Sequence, residues 1–161
     1  MEGLLGMIKM AVTTKDAGDW LICDGRLLNA SEYPDLFQLV GQRFGGTGEE
    51  FALPDLRGDQ AQYLVKAKSS AQDNNFVGTV SQMVLWMGKE LPSGWFYCDG
   101  RLVQASDYPV LTKVAAASQP MPMQSYHLPM VPPLAGVPYI ICVEGIDPMP
   151  AAPVANDDDD Y

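Results

Sequence analysis

The sequence has little histidine: His127 is the single one in 161 residues. A catalytic triad and a tetrahedral zinc site both draw on imidazole nitrogen, and one chain supplies too little of it for either. A metal site would require three copies of His127 to meet near the axis of a threefold assembly. Apart from that hypothesis, we expect no metal and no cofactor.

Positive charge is also scarce. The chain has 10 Lys and Arg against 20 Asp and Glu, a net charge of −10, and no basic cluster. Because such a surface repels phosphate, we expect no binding to nucleic acid. The N-terminal stretch has no basic n-region, and Lys9 interrupts its apolar run. We therefore expect neither a signal peptide nor membrane insertion.

Cysteine is limited to three residues, with no C-x-x-C spacing. Cys23 and Cys98 lie in apolar, strand-like runs, and Cys142 lies in another. Free cysteine is among the most buried residue types, so we expect small buried thiols. A disulfide between Cys23 and Cys98 is the alternative that the sequence leaves open.

The main feature that is present is a tandem duplication. Residues 20–34 recur as residues 95–109 at a constant offset of 75, and ten of the fifteen positions are identical. A Leu-Pro pair follows at the same offset. The shared motif consists of Trp20, Cys23, Asp24, Gly25, Tyr33, Pro34, Leu53 and Pro54 in the first copy and Trp95, Cys98, Asp99, Gly100, Tyr108, Pro109, Leu128 and Pro129 in the second.

Local patterns predict the elements of each copy. An Asp-Gly pair between two apolar runs predicts a tight β-hairpin. Ser31 is a candidate N-cap for a short helix with Pro34 in its first turn, and apolar residues at 36, 39 and 40 form its buried face. An apolar strand begins and ends each copy. The predicted fold class is α+β, mostly short strands with one short helix per repeat, in a pseudo-symmetric pair.

The copies differ in the loop after the helix, which is glycine-rich in the first and proline-rich in the second. Copies that share a scaffold but differ in their loops are expected to meet different partners. The candidate partner-contact residues in these loops are Arg43, Phe44, Glu49, Glu50, Met121, Met123, Tyr126 and His127.

The expected division of the chain is a first repeat at 1–70, a linker at 71–80 and a second repeat at 81–147. Residues 148–161 form a Pro-rich and acidic tail that we expect to be flexible, since four of its last five residues are aspartates without the spacing of a calcium loop.

These motifs resemble a known family. W-L-x-C-D-G-x-x-L followed by Y-P-x-L-F-x-L-x-G, F-G-G-x-G and F-x-L-P-D-L-R-G is similar to the phage tail collar domain of tail-fibre and microcystin-dependent-type proteins. The resemblance covers about residues 5–68. The second copy, about 81–147, is degenerate: it loses the glycine loop, and Met130–Pro133 replaces Asp55–Gly58.

The resemblance implies a structural protein of a virion tail or baseplate, commonly a homotrimer, that attaches fibres or spikes to the tail. Its partners would be other tail, baseplate or fibre proteins. The alternative is a receptor-binding adhesin tip that contacts a host surface glycan or a pilus. Localisation in the virion tail follows from either role, and assembly in the host cytoplasm follows from the expected lack of a signal peptide.

An enzyme is the least favoured class. Glu49 and Glu50 follow the loop at 45–48 where a nucleotide-binding loop needs Gly-Lys-Ser/Thr, and these acids would repel phosphate. Asp24 and Asp99 are accounted for by their turns, so no acid/base pair of a glycosidase is recognisable. A glycan-degrading tail enzyme remains the third alternative, and we expect no catalytic residues.

Overall fold

The computed structural model describes residues 3–58, 61–69, 76–117 and 124–149. In these residues the elements of the first repeat are β1 (Met7–Ala11), β2 (Trp20–Ile22), β3 (Leu27–Asn29), α1 (Pro34–Val40), β4 (Glu50–Ala52) and β5 (Gln62–Lys66). Those of the second repeat are β6 (Met83–Trp86), β7 (Trp95–Tyr97), β8 (Leu102–Gln104), α2 (Pro109–Ala116), β9 (Ser125–His127) and β10 (Tyr139–Cys142). Short strands with one short helix per repeat confirm the predicted α+β class.

Both repeats contribute to one antiparallel sheet. Its strand order is β2-β5-β1-β6-β10-β7, so each repeat supplies three strands and the repeats meet where β1 pairs with β6. Trp20 pairs with Lys66 in the first repeat, and Trp95 pairs with Cys142 in the second. The order reads the same from either edge, as a pseudo-twofold axis between β1 and β6 requires.

Two small sheets lie beside the large one, β3 with β4 and β8 with β9. The predicted Asp-Gly hairpins are therefore wrong. β2 pairs with β5 and β3 pairs with β4, so the chain crosses from one sheet to another at Asp24 and Gly25. The positive φ that suggested a hairpin is present, but it serves this crossover. The sequence did not predict β4 and β9, each of which is only three residues long.

The two helices are confirmed, each with proline in its first turn. Leu36 and Val40 are fully buried, and Gly41 ends α1 with φ 62°. The prediction of Ser31 as N-cap is wrong, because Tyr33 occupies the N-cap position without a side-chain cap. The Ser31 hydroxyl instead donates to Asn29 Oδ1, 2.7 Å away, in the turn before the helix.

The sheet buries both faces. Ile8, Val65 and Leu85 face the helix of the first repeat, while Ile141 and Val143 face that of the second. The opposite face holds a third apolar cluster that contains Met7, Trp86, Trp95, Ile140 and Cys142. Among the described residues, no helix is long and apolar enough to cross a membrane.

Residues 78–80 lie against the second repeat. Thr79 forms a parallel bridge with Ile146, and Val80 is fully buried in the second repeat's core. The division of the chain between 70 and 81 stays a prediction about where one repeat ends. The predicted flexible tail lies outside the described residues from position 150 onwards.

Candidate functional site: the paired Cys-Asp-Gly-Arg motifs

The Cys-Asp-Gly-Arg segment of each repeat is held against the Leu-Pro segment by the same hydrogen bonds. In the first repeat the Gly25 N–H donates to the Pro54 carbonyl at 3.2 Å, and the Leu53 N–H donates to the Arg26 carbonyl at 2.9 Å. In the second, the Gly100 N–H donates to the Pro129 carbonyl at 3.2 Å, and the Leu128 N–H donates to the Arg101 carbonyl at 2.8 Å. The matched sequence positions thus form a backbone clamp that joins the large sheet to the small one.

Glycine is required at the centre of this clamp. Gly25 and Gly100 have φ of 79° and 75°, a region that residues with a Cβ rarely adopt. A Cβ on Gly25 would lie 3.3 Å from Asp55, and one on Gly100 would lie 3.3 Å from Met130. Both the backbone angle and the close neighbour explain why the two repeats keep glycine here.

The aspartates before these glycines close the turns. Asp24 Oδ1 accepts the Arg26 backbone N–H at 3.1 Å and its Nε at 2.9 Å. Asp99 Oδ1 accepts both from Arg101, each at 3.1 Å. These hydrogen bonds hold the pKa of each carboxyl below its ordinary value. The carboxylates are therefore ionised, structural acceptors, which is a different state from that of a general acid.

Asp16 extends this network in the first repeat. Its carboxylate binds the Arg26 guanidinium at 2.8 Å and accepts the Ile22 N–H, also at 2.8 Å. The Ile22 N–H points away from β5, so Asp16 occupies a donor on the outer edge of the sheet. Sequence reasoning missed Asp16, because the second repeat has Leu91 at the equivalent position. Arg26 could have been identified from the sequence, because Arg101 occupies the matching position in the second repeat.

The three cysteines are free and buried. Cys23 and Cys98 lie in separate apolar clusters, so the alternative of a disulfide between them is wrong. Burial raises the pKa of Cys23 to about 12 and those of Cys98 and Cys142 to about 11. Such thiols are neutral packing groups, as expected.

The aromatic motif residues are also packing groups. Trp20 and Trp95 are 2% and 4% exposed. A glycine lies on each indole ring: a Cβ on Gly3 would come within 2.8 Å of Trp20, and one on Gly78 within 2.4 Å of Trp95. These glycines extend the repeat 17 residues upstream of each tryptophan at the same offset. Half-buried Tyr33 and Tyr108 hold the N-cap positions before Pro34 and Pro109.

The repeats also differ beside the clamp. In the first, exposed Asp55 and Arg57 form an ion pair at 2.7 Å, and the pKa of Asp55 is lowered to about 2 by it. In the second, the equivalents are Met130, which is 78% exposed, and Pro132. A cavity of about 490 Å³ lies there. It is lined by Tyr97, Cys98, Asp99, Met130, Val131, Pro132, Pro133, Pro138 and Tyr139. A charged surface in one repeat is thus apolar in the other.

Two of the predicted partner-contact residues lie between the repeats. The Arg43 guanidinium donates to the Met87 carbonyl at 3.4 Å and to the Gly136 carbonyl at 3.0 Å. Half-buried Phe44 packs against the cluster that contains Leu85 and Met87. Within the described part of the chain, the glycine loop therefore clasps the second repeat with its first residues and exposes its last ones, Glu49 and Glu50.

The remaining candidates are dispersed. Half-buried Tyr126 lies 3.1 Å from Thr112 through its hydroxyl. His127 is exposed on β9, and its Nδ1 lies 2.8 Å from the Gly100 carbonyl. Met121 and Met123 lie outside the described residues. In the described ranges, no group of three His, Cys, Asp or Glu residues is arranged to hold a metal ion.

The fold and the shared motif define the class of protein: an α+β protein of two tandem repeats, in which the shared residues make structural contacts. The Phage Tail Collar Domain profile matches residues 6–60 and 81–116, more than half of the chain, in two segments that agree with two tandem copies. The protein belongs to the phage tail collar domain family. The second match stops before the proline-rich loop, where the sequence departs from the first repeat.

A curated relative is similar over a shorter stretch. Protein RhiB of Rhizobium leguminosarum bv. viciae is 40% identical over 47 residues, which cover 27% of this chain and 22% of that protein. The chain thus aligns with about a fifth of this relative's length. No solved structure matches the chain.

Proposed function

We propose that this protein is a structural component of a phage tail or baseplate that attaches fibres or spikes to the tail. The observation that carries the proposal is the single six-stranded sheet that joins two collar motifs with different surfaces. The first motif presents the Asp55–Arg57 ion pair, and the second presents Met130 and two prolines at the same place. A rigid body with two unlike surfaces at equivalent positions suits an adaptor between two different proteins.

The assembly we propose is a homotrimer in the virion tail, with other tail, baseplate or fibre proteins as partners. Three chains would present six collar motifs, which suits a junction between a threefold fibre and a sixfold tail. His127 would be a shared metal ligand only in an assembly that brings its three copies together, and its exposure on β9 permits this. We propose no catalytic role.

Imaging of intact particles tests the adaptor role. Particles decorated with an antibody against this protein should be labelled at the junction between tail and fibres. Label at the distal tip would instead support the alternative, a receptor-binding adhesin. The exposure of residues 47–50 favours that alternative, because a receptor could reach this end of the glycine loop. Absence of the protein from purified particles would contradict both roles.

Surface variants test the two unlike partners. Met130→Asp gives the second repeat the charged residue of the first, and Asp55→Ala removes the ion pair from the first. Each variant should lose a different tail protein from an affinity capture, while Leu27→Ala, at another exposed position, should keep both. Loss of the same protein in both variants would contradict an adaptor with two partners.

A further inference from the structure

The junction between β1 and β6 is paired and buried at one end, and it is unpaired and exposed at the other. At that end Ile8 pairs with Leu85, and the Met87 N–H donates to the Gly6 carbonyl at 3.1 Å. Ile8 and Leu85 are each 2% exposed. The paired register continues to Met10 opposite Met83, but the ladder does not include this pair. Met10 is 66% exposed and Met83 48%.

The pseudo-twofold axis identifies the contact that is present in the first repeat and lacking in the second. Leu85 pairs with Tyr139 on β10, and Met10 pairs with the equivalent Tyr63 on β5, so Met10 is the counterpart of Leu85. By the same relation Val12 is the counterpart of Met87. Leu85 and Met87 fill the core of the first repeat. Val12, in contrast, is 92% exposed, so the second repeat's core does not receive this strand end within the chain.

Among the described residues, the core of the second repeat opens into an apolar pocket of about 280 Å³. It is lined by Ser81, Met83, Leu111, Val114, Ala115, Tyr126, His127, Leu128, Pro129 and Ile141. One cause is a loss of bulk: Phe37 packs on Phe51 in the first repeat, with ring centroids 5.3 Å apart, whereas the second has Thr112 in place of Phe37.

Charge limits which surfaces of this protein can meet another copy. At a net charge of −10, copies repel one another, and acidic surfaces would resist contact. The pocket lining includes no acidic residue, and neither do positions 10–12 beside it. An apolar patch of this kind, continuous with the junction between the repeats, is suited to association.

We propose that a second copy of this chain docks at this patch, with its Met10–Val12 strand end covering the pocket in the second repeat of its neighbour. In this contact, Met10 and Val12 of one chain fill the core of the second repeat of another chain. Leu85 and Met87 fill the core of the first repeat in the same way within one chain. Donor and acceptor are different surfaces, so the contact either closes into a ring or is exchanged reciprocally between two chains. The inference rests on the self-assembly proposed above and names its surface.

Two variants separate donor from acceptor. Met10→Glu with Val12→Glu alters exposed residues of the donor, and Val114→Glu places a charge in the acceptor pocket. Solution mass should fall in each variant from a multiple to the 17.5 kDa of one chain, with at least a tenfold weaker self-association. Leu27→Glu, a matched exposed leucine away from the patch, should keep the mass of the unmodified protein.

Mixing the two variants is the decisive step, because each keeps the surface that the other lacks. The mixture should form a species of two chains in 1:1 ratio, which also shows that both variants are folded. A monomeric full chain at 100 μM, unchanged mass in either variant, or no association in the mixture would overturn the proposal. Localisation in the tail is tested separately, by imaging of intact particles. The proposed contact can therefore fail while the proposed tail role stands, and the tail role can fail while the contact stands.

Discussion

At the residue scale, the duplicated motif is a set of structural contacts. Asp24 and Asp99 occupy equivalent positions in the two turns. Asp24 shares Arg26 with Asp16, and its side chain is less exposed to solvent than that of Asp99. Both carboxyl pKa values are lowered, first by the side-chain hydrogen bond from arginine. A carboxyl with a lower pKa in the folded state stabilises the fold above its unfolded pKa of about 3.9, and this contribution is lost as the pH falls through the folded value.

We therefore expect Asp24→Asn to reduce the stability difference between pH 7 and pH 3. The amide keeps the turn acceptor but loses the ionisation. At pH 7 the variant should lose about 1 kcal/mol or less of unfolding free energy, measured by urea titration, since the pair is partly exposed. Asp99→Asn is the matched control, with a smaller effect because the Asp99–Arg101 pair is more exposed to solvent than the Asp24–Arg26 pair. Equal losses at pH 3 and pH 7 would contradict this account.

The buried thiols carry a second prediction at this scale. Because burial raises the pKa of Cys23 to about 12, this thiol stays protonated at pH 7 and is a poor nucleophile. Cys98 and Cys142 are buried as well. In the native protein, DTNB should react with none of the three within minutes. All three should react once urea unfolds the chain. Rapid reaction of one thiol in the native state would show that its cluster opens.

At the element scale, the glycine loop of the first repeat has a fixed path. Gly46 has φ 100°, and a Cβ there would lie 2.3 Å from the Glu50 carbonyl oxygen. Gly48 has φ 64° with nothing within 4 Å of a Cβ. The loop places Arg43 and Phe44 against the second repeat and then returns to β4. On this path there is no space for a side chain at Gly46.

Gly46→Ala should be strongly destabilising, by at least about 3 kcal/mol, because both the backbone angle and a backbone atom oppose the new methyl group. Gly48→Ala is the matched control and should cost about 1 kcal/mol, from its backbone angle alone. Chemical unfolding of both variants measures the difference. Equal costs would mean that the loop can rearrange around Gly46.

At the scale of the whole molecule, the two repeats share one sheet and part of one core. Leu85, Met87 and Val137 of the second repeat are buried with the side chains of the first. A core that draws on both repeats couples their unfolding, as small units that bury little surface alone require. This sharing makes the tandem pair a single mechanical body, which is what an adaptor between two proteins needs.

Calorimetry of the full chain should therefore show one transition in which the calorimetric and van't Hoff enthalpies agree. Leu85→Ala should lower the whole transition, at a cost of about 2–5 kcal/mol for a buried leucine. Leu27→Ala, at a leucine that is 56% exposed, is the control and should change it little. A separate early transition in Leu85→Ala would mean that the repeats unfold independently.

The duplication, the family, the α+β class, both helices and the strands at the ends of each repeat could all be predicted from the sequence. The family follows from the resemblance of the motifs, the duplication follows from the gapless offset of 75 between residues 20–54 and 95–129, and the elements follow from local periodicity. Sequence reasoning misassigned the Asp-Gly turn, because a positive φ serves a crossover as well as a hairpin and the choice depends on which strand lies alongside. It missed Asp16, which has no counterpart in the second repeat.

How the two copies meet depends on contacts between residues that are distant in the sequence. Strand pairing across the β1–β6 junction, the Arg43 clasp and the exposed Met10–Val12 end all join residues that are far apart in the chain. Two copies of nearly the same motif permit a symmetric pair. The Arg43 hydrogen bonds and buried Leu85 close one end of the junction, whereas Met10 and Val12 are exposed at the other end.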